Sequence, residues 1–499
     1  MQSMDVKNVV IVGGGTAGWM SAAGMSKLLG SKKINIRVIE SESIGTVGVG
    51  EATVPHIQYF NRLLGIDENS FIKKTNATFK YGIEFVDWHK RGESYFHSFG
   101  PYGMDMEGIH FHHMWLRQQQ AGTAKPIDEF NLQIQAAKAG KYMPARPELQ
   151  GSPLSALSYA FQFDAVLYAA FLRDFSEKNG VTRTEGKIVN VTQAANTGHI
   201  ESVTLEDGEC IKGDLFIDCS GFKGLLIEET LKTGYDDWSH YLPCDSAVTR
   251  LSERMAELPP YTRATAKAAG WQWRIPLQSR TGNGYVYSSQ FLSDEDAIES
   301  LNKDLDTAPI SDPRQLRFKT GIRKQTWNKN VVSIGLSSGF LEPLESTSIH
   351  LIQTAIARLM TNFPDMSFNQ PDIDYYNERT KAEYMQIRDF LILHYKATTR
   401  DDSPFWDYVR EMDIPVSLEK RIAIYKENAR LYSEDKVLFN HSSWFAVFNG
   451  QGIHPQRYHP IANILEEKEM ERRMAEIHTV TQKCLSIMPS HDEFLAKLL

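Results

Sequence analysis

Cysteine is scarce in this chain: Cys210, Cys219, Cys244 and Cys484 are the only four in 499 residues, and no two share a Cys-x-x-Cys spacing. That excludes a disulfide framework and a cysteine-built zinc site, and makes a reducing compartment, the cytoplasm, the expected location. Long apolar runs are missing as well. The opening Met1-Gln2-Ser3-Met4-Asp5 has no basic n-region, and the apolar run after it is far too short to span a membrane, so no membrane partner is expected. Positive charge is in deficit: a formal net charge of -8 and a pI near 6.0 leave no footprint for nucleic acid and point to a small-molecule partner. No repeat or low-complexity segment is visible, and the length allows several domain-sized units.

What is present begins with glycine. Val9-Val10-Ile11-Val12 reads as a buried strand that runs into Gly13-Gly14-Gly15-Thr16-Ala17-Gly18. Gly13 permits the tight turn, Gly15 lets backbone approach a pyrophosphate, and Gly18 lets the next helix pack on the strand, with Thr16 and Ala17 at the helix N-terminus facing the phosphates. A second apolar run, 34–39, ends in Glu40, at the offset where an acid meets ribose hydroxyls. Together these predict a βαβ unit that binds a dinucleotide. The glycine-dense segment 45–55, including Gly50 and Ala52, suggests backbone lying against a ligand, with an ordinary flexible loop as the alternative.

Further along, Lys80 stands in a strand-like run among aromatic and apolar residues, a setting in which most lysines are still solvated surface groups. His110, His112 and His113 lie among aromatics, but no acid or cysteine beside them completes a ligand set, so packing or a cavity wall is expected and no metal. The stretch 159–178 reads as an amphipathic helix, and 214–222 as a buried strand returning to the first one after a β-rich insert. Trp271 and Trp273 are two apart on a strand-like run, hence on one face, as core or as an aromatic wall beside a flat cofactor. In 330–348 a strand gives way to small residues, and the helix that follows, with Ser346, Thr347 and Ser348 at its N-terminus, is a plausible anion site. Glu345 before it reads equally well as a capping acid. Beyond about residue 364 long helices are expected over 375–395 and 418–432.

These motifs together resemble the flavin-dependent halogenases of the tryptophan-halogenase type. The resemblance rests on the Gly13–Gly18 turn, Gly48-Val49-Gly50-Glu51-Ala52-Thr53, Phe79-Lys80, Trp271-x-Trp273-x-Ile275-Pro276, and Phe340-Leu341-Glu342-Pro343-Leu344-Glu345-Ser346-Thr347. It implies an α/β fold: a two-part, Rossmann-like FAD-binding domain of the aromatic-hydroxylase kind over 1–365, with a β-rich insert, and a C-terminal helical subdomain over 366–499 that covers the substrate cavity. It also implies that reduced FAD, delivered by a separate flavin reductase, and oxygen convert chloride or bromide to hypohalous acid. By the same resemblance the halide sits at Thr347 and Ser348. Lys80 presents electrophilic halogen to an aromatic carbon, and Glu345 orients the oxidant or takes the ring proton. Trp271 and Trp273 wall the flavin; Glu40 and Ile188 contact the adenosine portion and Leu336 the isoalloxazine side. The resemblance leaves a homodimer open.

The sequence departs from tryptophan-specific members between 418 and 450, where only isolated Tyr425 and Tyr432 stand in place of an adjacent tyrosine pair. An indole-like ring held by His97, Phe99 and Trp444 is therefore expected rather than free tryptophan. The competing functions are an FAD-dependent aromatic monooxygenase, disfavoured by Gly335-Leu336 in place of the usual Gly-Asp and by the tryptophan pair, and a non-catalytic flavin-binding protein.

Overall fold

The computed structural model describes residues 5–30, 34–43, 50–432 and 438–498. The glycine-rich segment expected over 45–55 is therefore described only from Gly50 onward, and Gly48 and Val49 lie outside the described residues. The chain forms two compact units, each assembled from three separated segments: the first from Met1–Ala77, Phe163–Ser239 and Arg317–Met385, the second from Thr78–Gln162, His240–Leu316 and Gln386–Leu499.

The first unit is built on a sheet in which the strand Asn8–Val12 lies between Asn35–Glu40 and Leu215–Asp218, parallel to both. Val331–Ser333 continues it in parallel beyond Leu215–Asp218, and Thr182–Glu185 beyond Asn35–Glu40. A parallel sheet is covered on both faces, which is why these strands read as near-continuous apolar runs. On one side Val10, Val12, Ile39, Phe216 and Val331 pack with Leu226 and with Ile200, Val203 and Leu205 of the small antiparallel insert. Each such side chain contributes roughly 1.5–3 kcal/mol when fully buried.

The second unit carries a sheet in the order Ser246–Glu253, Arg280–Tyr287, Gly270–Pro276, Thr262–Lys267, Gly82–Val86 and Ser94–Ser98. It is antiparallel except between Thr262–Lys267 and Gly82–Val86. Helices Phe111–Gln120, Val416–Asn428, His441–Gly450, Glu467–Ser486 and His491–Leu498 belong to the same unit. No helix among the described residues is long and apolar enough to cross a membrane.

Two local expectations need correction. The stretch 159–178 is not one helix: Ala160–Asp164 is a strand, and the helix is Ala165–Lys178. The aromatic alternation of Phe161-Gln162-Phe163 favours the strand, and Asp164 then caps the helix by accepting the N–H groups of Val166 and Leu167 at 2.9 and 3.2 Å. The helix expected over 418–432 ends at Asn428, because Ala429 turns left-handed at φ 59°.

Candidate active site

Gly13 follows the first strand with φ 110°, and a Cβ there would stand 2.3 Å from the carbonyl oxygen of Cys219. A Cβ on Gly18 would fall 1.8 Å from the Gly13 oxygen, so both positions exclude a side chain. Gly15 is different: a Cβ there would meet nothing within 4 Å, so this part of the loop faces open space. It is also the N-cap of Thr16–Leu29 and offers no side-chain cap, leaving the first N–H groups of that helix to an outside acceptor. A tight turn, an open approach and unpaired donors on one loop fit the pyrophosphate of FAD. A cleft of about 160 Å³ lies beside it, lined by Gly14, Thr16, Trp19, Glu40, Ala169 and Arg173 among others.

Glu40 is thus brought to the loop as its spacing predicts, but its carboxylate is already engaged. Oε2 accepts Trp19 Nε1 at 3.1 Å, Oε1 accepts Arg183 Nε, and Arg173 Nη1 stands 3.7 Å away. The second flavin-type motif meets the first directly: Gly335, at φ 79°, would place a Cβ 2.7 Å from the Cβ of Ala17, and half-buried Leu336 follows it. Ile188 opens a strand of the insert and is half-buried against the core of Val203 and Leu205. Gly50 and Ala52 are buried in a short strand, and burial pushes the Glu51 carboxyl between them up to about 7.

Glu345, 1% exposed, ends the single turn Pro343–Glu345. Ser346 then adopts φ 59° and returns its N–H to the Pro343 oxygen at 3.0 Å. This left-handed residue redirects the chain so that Thr347 takes the N-cap position of the helix Ser348–Thr361 without a side-chain cap bond. Thr347 is fully buried, and its Oγ1 has no hydrogen-bond partner among the described residues. An orphaned hydroxyl beside an uncapped helix N-terminus is the donor set an anion needs. One turn on, His350 Nε2 lies 3.1 Å from Glu383, which also accepts Arg358 at 2.8 Å. Burial works to raise the Glu383 carboxyl, but His350 and Arg358 outweigh it and hold the group at about 2.

In the second unit Lys80 closes the strand Thr78–Lys80 with no exposed surface, so the surface reading does not hold. Its neighbours fix the backbone. Thr78 Oγ1 donates to the Pro276 oxygen at 2.7 Å, and Tyr81 N–H to the Pro260 oxygen at 2.7 Å. Phe79 N–H donates to His491 Nε2 at 3.2 Å, while His491 Nδ1 lies 2.8 Å from the Leu258 oxygen. Those two bonds fix the neutral tautomer of His491, protonated at Nδ1. Lys80 Nζ stands 5.4 Å from the ring centroid of Phe99, within cation–π range.

His97 and Trp444 both reach Phe390, with ring centroids at 5.6 and 4.9 Å, and Phe439 stacks on Phe390 at 3.8 Å. Trp271 and Trp273 do share a face, their rings 6.1 Å apart. Trp273 lies across Gly284, where a Cβ would come within 2.1 Å of the indole. Tyr425 is buried and stacked on Phe448 at 4.3 Å, whereas Tyr432 is 59% exposed, so the two do not form a pair. Sequence reasoning missed His491, Phe390 and Phe439. The first is distant in sequence, and the other two sit in aromatic seams whose periodicity says only that they are buried.

The family model for tryptophan halogenase matches residues 8–467. The chain is 34% identical to tryptophan 7-halogenase RebH of Lentzea aerocolonigenes, over 99% of each. Among solved structures it is similar to Xcc4156, a flavin-dependent halogenase from Xanthomonas campestris, with TM-score 0.95, 44% identity, and 99% of this chain and 98% of that one covered. It is equally similar in fold to BrvH, a flavin-dependent halogenase from Brevundimonas sp. BAL3, with TM-score 0.95, 43% identity and 99% of both chains covered. On these matches, and on the loop and helix termini described above, the chain belongs to the tryptophan halogenase family and is an FAD-dependent halogenase that uses halide.

Proposed function

We propose that this enzyme halogenates an electron-rich, indole-like aromatic with chloride or bromide, and that Lys80 delivers the halogen. Reduced FAD, supplied by a separate flavin reductase and held by Gly13, Gly15, Thr16, Ala17, Gly18, Glu40, Gly50, Ala52, Ile188 and Leu336, provides with oxygen the oxidising power that turns halide into hypohalous acid. Halide is taken by the backbone N–H groups of Thr347 and Ser348, with the buried Thr347 hydroxyl as a further donor. Trp271 and Trp273 form the flavin-side wall and keep organic substrate from the cofactor.

The observation that carries the reading is the complete burial of Lys80 on a strand whose flanking residues are each tied down. A lysine out of water is retained only where its charge or its amine is used. One fixed ammonium or amine converts a diffusible, unselective oxidant into halogen offered at one point. Glu345, buried before the halide helix, orients the oxidant or accepts the ring proton. His97, Phe99 and Trp444 hold the aromatic ring. Unpaired Tyr425 and Tyr432 offer no clamp for an amino acid, which favours indole over free tryptophan. In this reading the segment 366–499 covers the substrate cavity, the enzyme is cytoplasmic, and a homodimer is compatible with it.

The test supplies flavin reductase, bromide and indole and looks for brominated product by mass. Lys80→Ala is expected to keep oxidising reduced flavin while product falls by at least about 10²-fold, the low end for loss of a positioned catalytic group. Normal turnover in that variant removes Lys80 from the mechanism, and oxygenated product independent of halide turns the assignment to a monooxygenase.

A further inference from the structure

The histidine-rich stretch holds something its sequence neighbourhood conceals. His112 and His113 are buried, and each is used in packing: His112 Nε2 lies 3.0 Å from the Ala429 oxygen, and His113 Nδ1 accepts the His459 N–H at 3.3 Å. His110 is only half-buried. It stands at the N-cap position of the helix Phe111–Gln120 without a side-chain cap bond, its Nδ1 2.9 Å from Asp105 Oδ2, and its ring stacks on His441 at a centroid distance of 3.6 Å and an interplanar angle of 11°. Asp105 is held in turn, its Oδ1 accepting the Phe111 N–H at 3.0 Å. One donor atom from each of Asp105, His110 and His441 falls within 4.8 Å of the others, with Asp105 exposed and both histidines half-buried.

We propose that Asp105, His110 and His441 bind one divalent cation of the zinc class. Two imidazoles and one carboxylate suit Zn²⁺, Co²⁺, Ni²⁺ or Cu²⁺, whereas Mg²⁺ and Ca²⁺ require oxygen ligands almost exclusively. Bonds of about 2.0–2.2 Å to a tetrahedral ion set donors about 3.4 Å apart. The observed spread is wider than this and the two rings lie stacked, so binding turns the imidazoles out of their stack to aim one nitrogen each at the ion, with the fourth position taken by water. Electrostatics assigns the carboxylate a specific part. His441 begins the helix His441–Gly450 as His110 precedes Phe111–Gln120, so two helix N-termini, each worth roughly half a positive charge, oppose a cation here. Asp105 offsets them, and without it the site repels the ion. The bound cation would join the helix Phe111–Gln120 to the helix that carries Trp444 three residues after His441.

The test uses the full chain and needs no halogenation. Equilibrium dialysis against Zn²⁺ is expected to give one ion per chain, Co²⁺ to develop the visible bands of a low-coordinate His site, and Zn²⁺ but not Mg²⁺ to raise the melting temperature. His441→Ala and Asp105→Asn are each expected to lose the ion and the thermal shift, while metal-free melting and circular dichroism show that they fold. His454→Ala, at an exposed histidine elsewhere in this unit, is expected to keep both. Binding that survives in His441→Ala or Asp105→Asn, or a wild-type chain that takes up no Zn²⁺, overturns the site. So does binding lost equally in His454→Ala, which would mark an adventitious ion only.

Discussion

His491 makes the support of Lys80 a matter of one lone pair. Its Nε2 is the acceptor for the Phe79 N–H, and burial holds the imidazole down to about 4, so the ring is neutral wherever the fold is stable. Replacing it by a ring of similar bulk with no acceptor, His491→Phe, strands that N–H in the core. The expected cost is about 1–3 kcal/mol, read as a lower midpoint in urea denaturation. The sign of the pH dependence follows from the same group. An unfolded histidine takes up its proton near 6.5 and the folded one only near 4, so its contribution is complete above 6.5 and is lost as pH falls toward 4. His56 and His113 shift the same way, to about 4 and about 3, and steepen the loss. Melting temperature is therefore expected to fall from about pH 7 to about pH 5, less steeply in His491→Phe than in the wild type. Glu383 acts at lower pH. Held at about 2 against an ordinary 4.5, it stabilises fully above 4.5 and is lost on acidification below that.

At the scale of the element, the junction Pro343–Ser348 shows how a turn sets a helix terminus. Ser346 occupies a left-handed conformation that costs a side-chain-bearing residue roughly 1–2 kcal/mol, and more when it is β-branched. Ser346→Gly is expected to retain stability and halide use. Ser346→Val is expected to lose about 1–2 kcal/mol by chemical denaturation and to raise the KM for bromide. Gly335 is a second such point, since an added Cβ meets Ala17 at 2.7 Å. Gly335→Ala is expected to weaken FAD binding by about tenfold or more, the equivalent of 1.4 kcal/mol, measured by flavin fluorescence. These elements were legible in the sequence because their backbone demands are written in residue type: glycine at Gly13 and Gly18, a proline-bounded turn at Pro343. The strand Ala160–Asp164 was not, because its aromatic residues satisfy a helical pattern until Asp164 is recognised as a cap.

For the whole molecule, local pattern predicted the βαβ unit around Asn8–Val12, and the family resemblance supplied the α/β class. It could not predict contacts made by chain ends. Asp105 is five residues from His110 and passed unnoticed, and His441 is hundreds away. Lys80 and the Phe79 N–H donor are separated from the His491 acceptor by most of the chain, a distance of 412 residues for the hydrogen bond itself. No periodicity encodes such a pair, and only the folded chain reveals it.

That separation bears on how the protein is made. Each unit draws on three stretches of chain, so the first unit lacks a segment until Met385 has been synthesised, and the second until the final segment has. The bond beneath Lys80 is closed by residue 491. A nascent chain on the ribosome thus carries its lysine strand through 412 further residues without the acceptor that completes it, and loop closure on this scale is slow. The enzyme acquires a fixed Lys80 only once residue 491 has been made and folded back, so a chain translated short of it is not yet equipped to direct an oxidant.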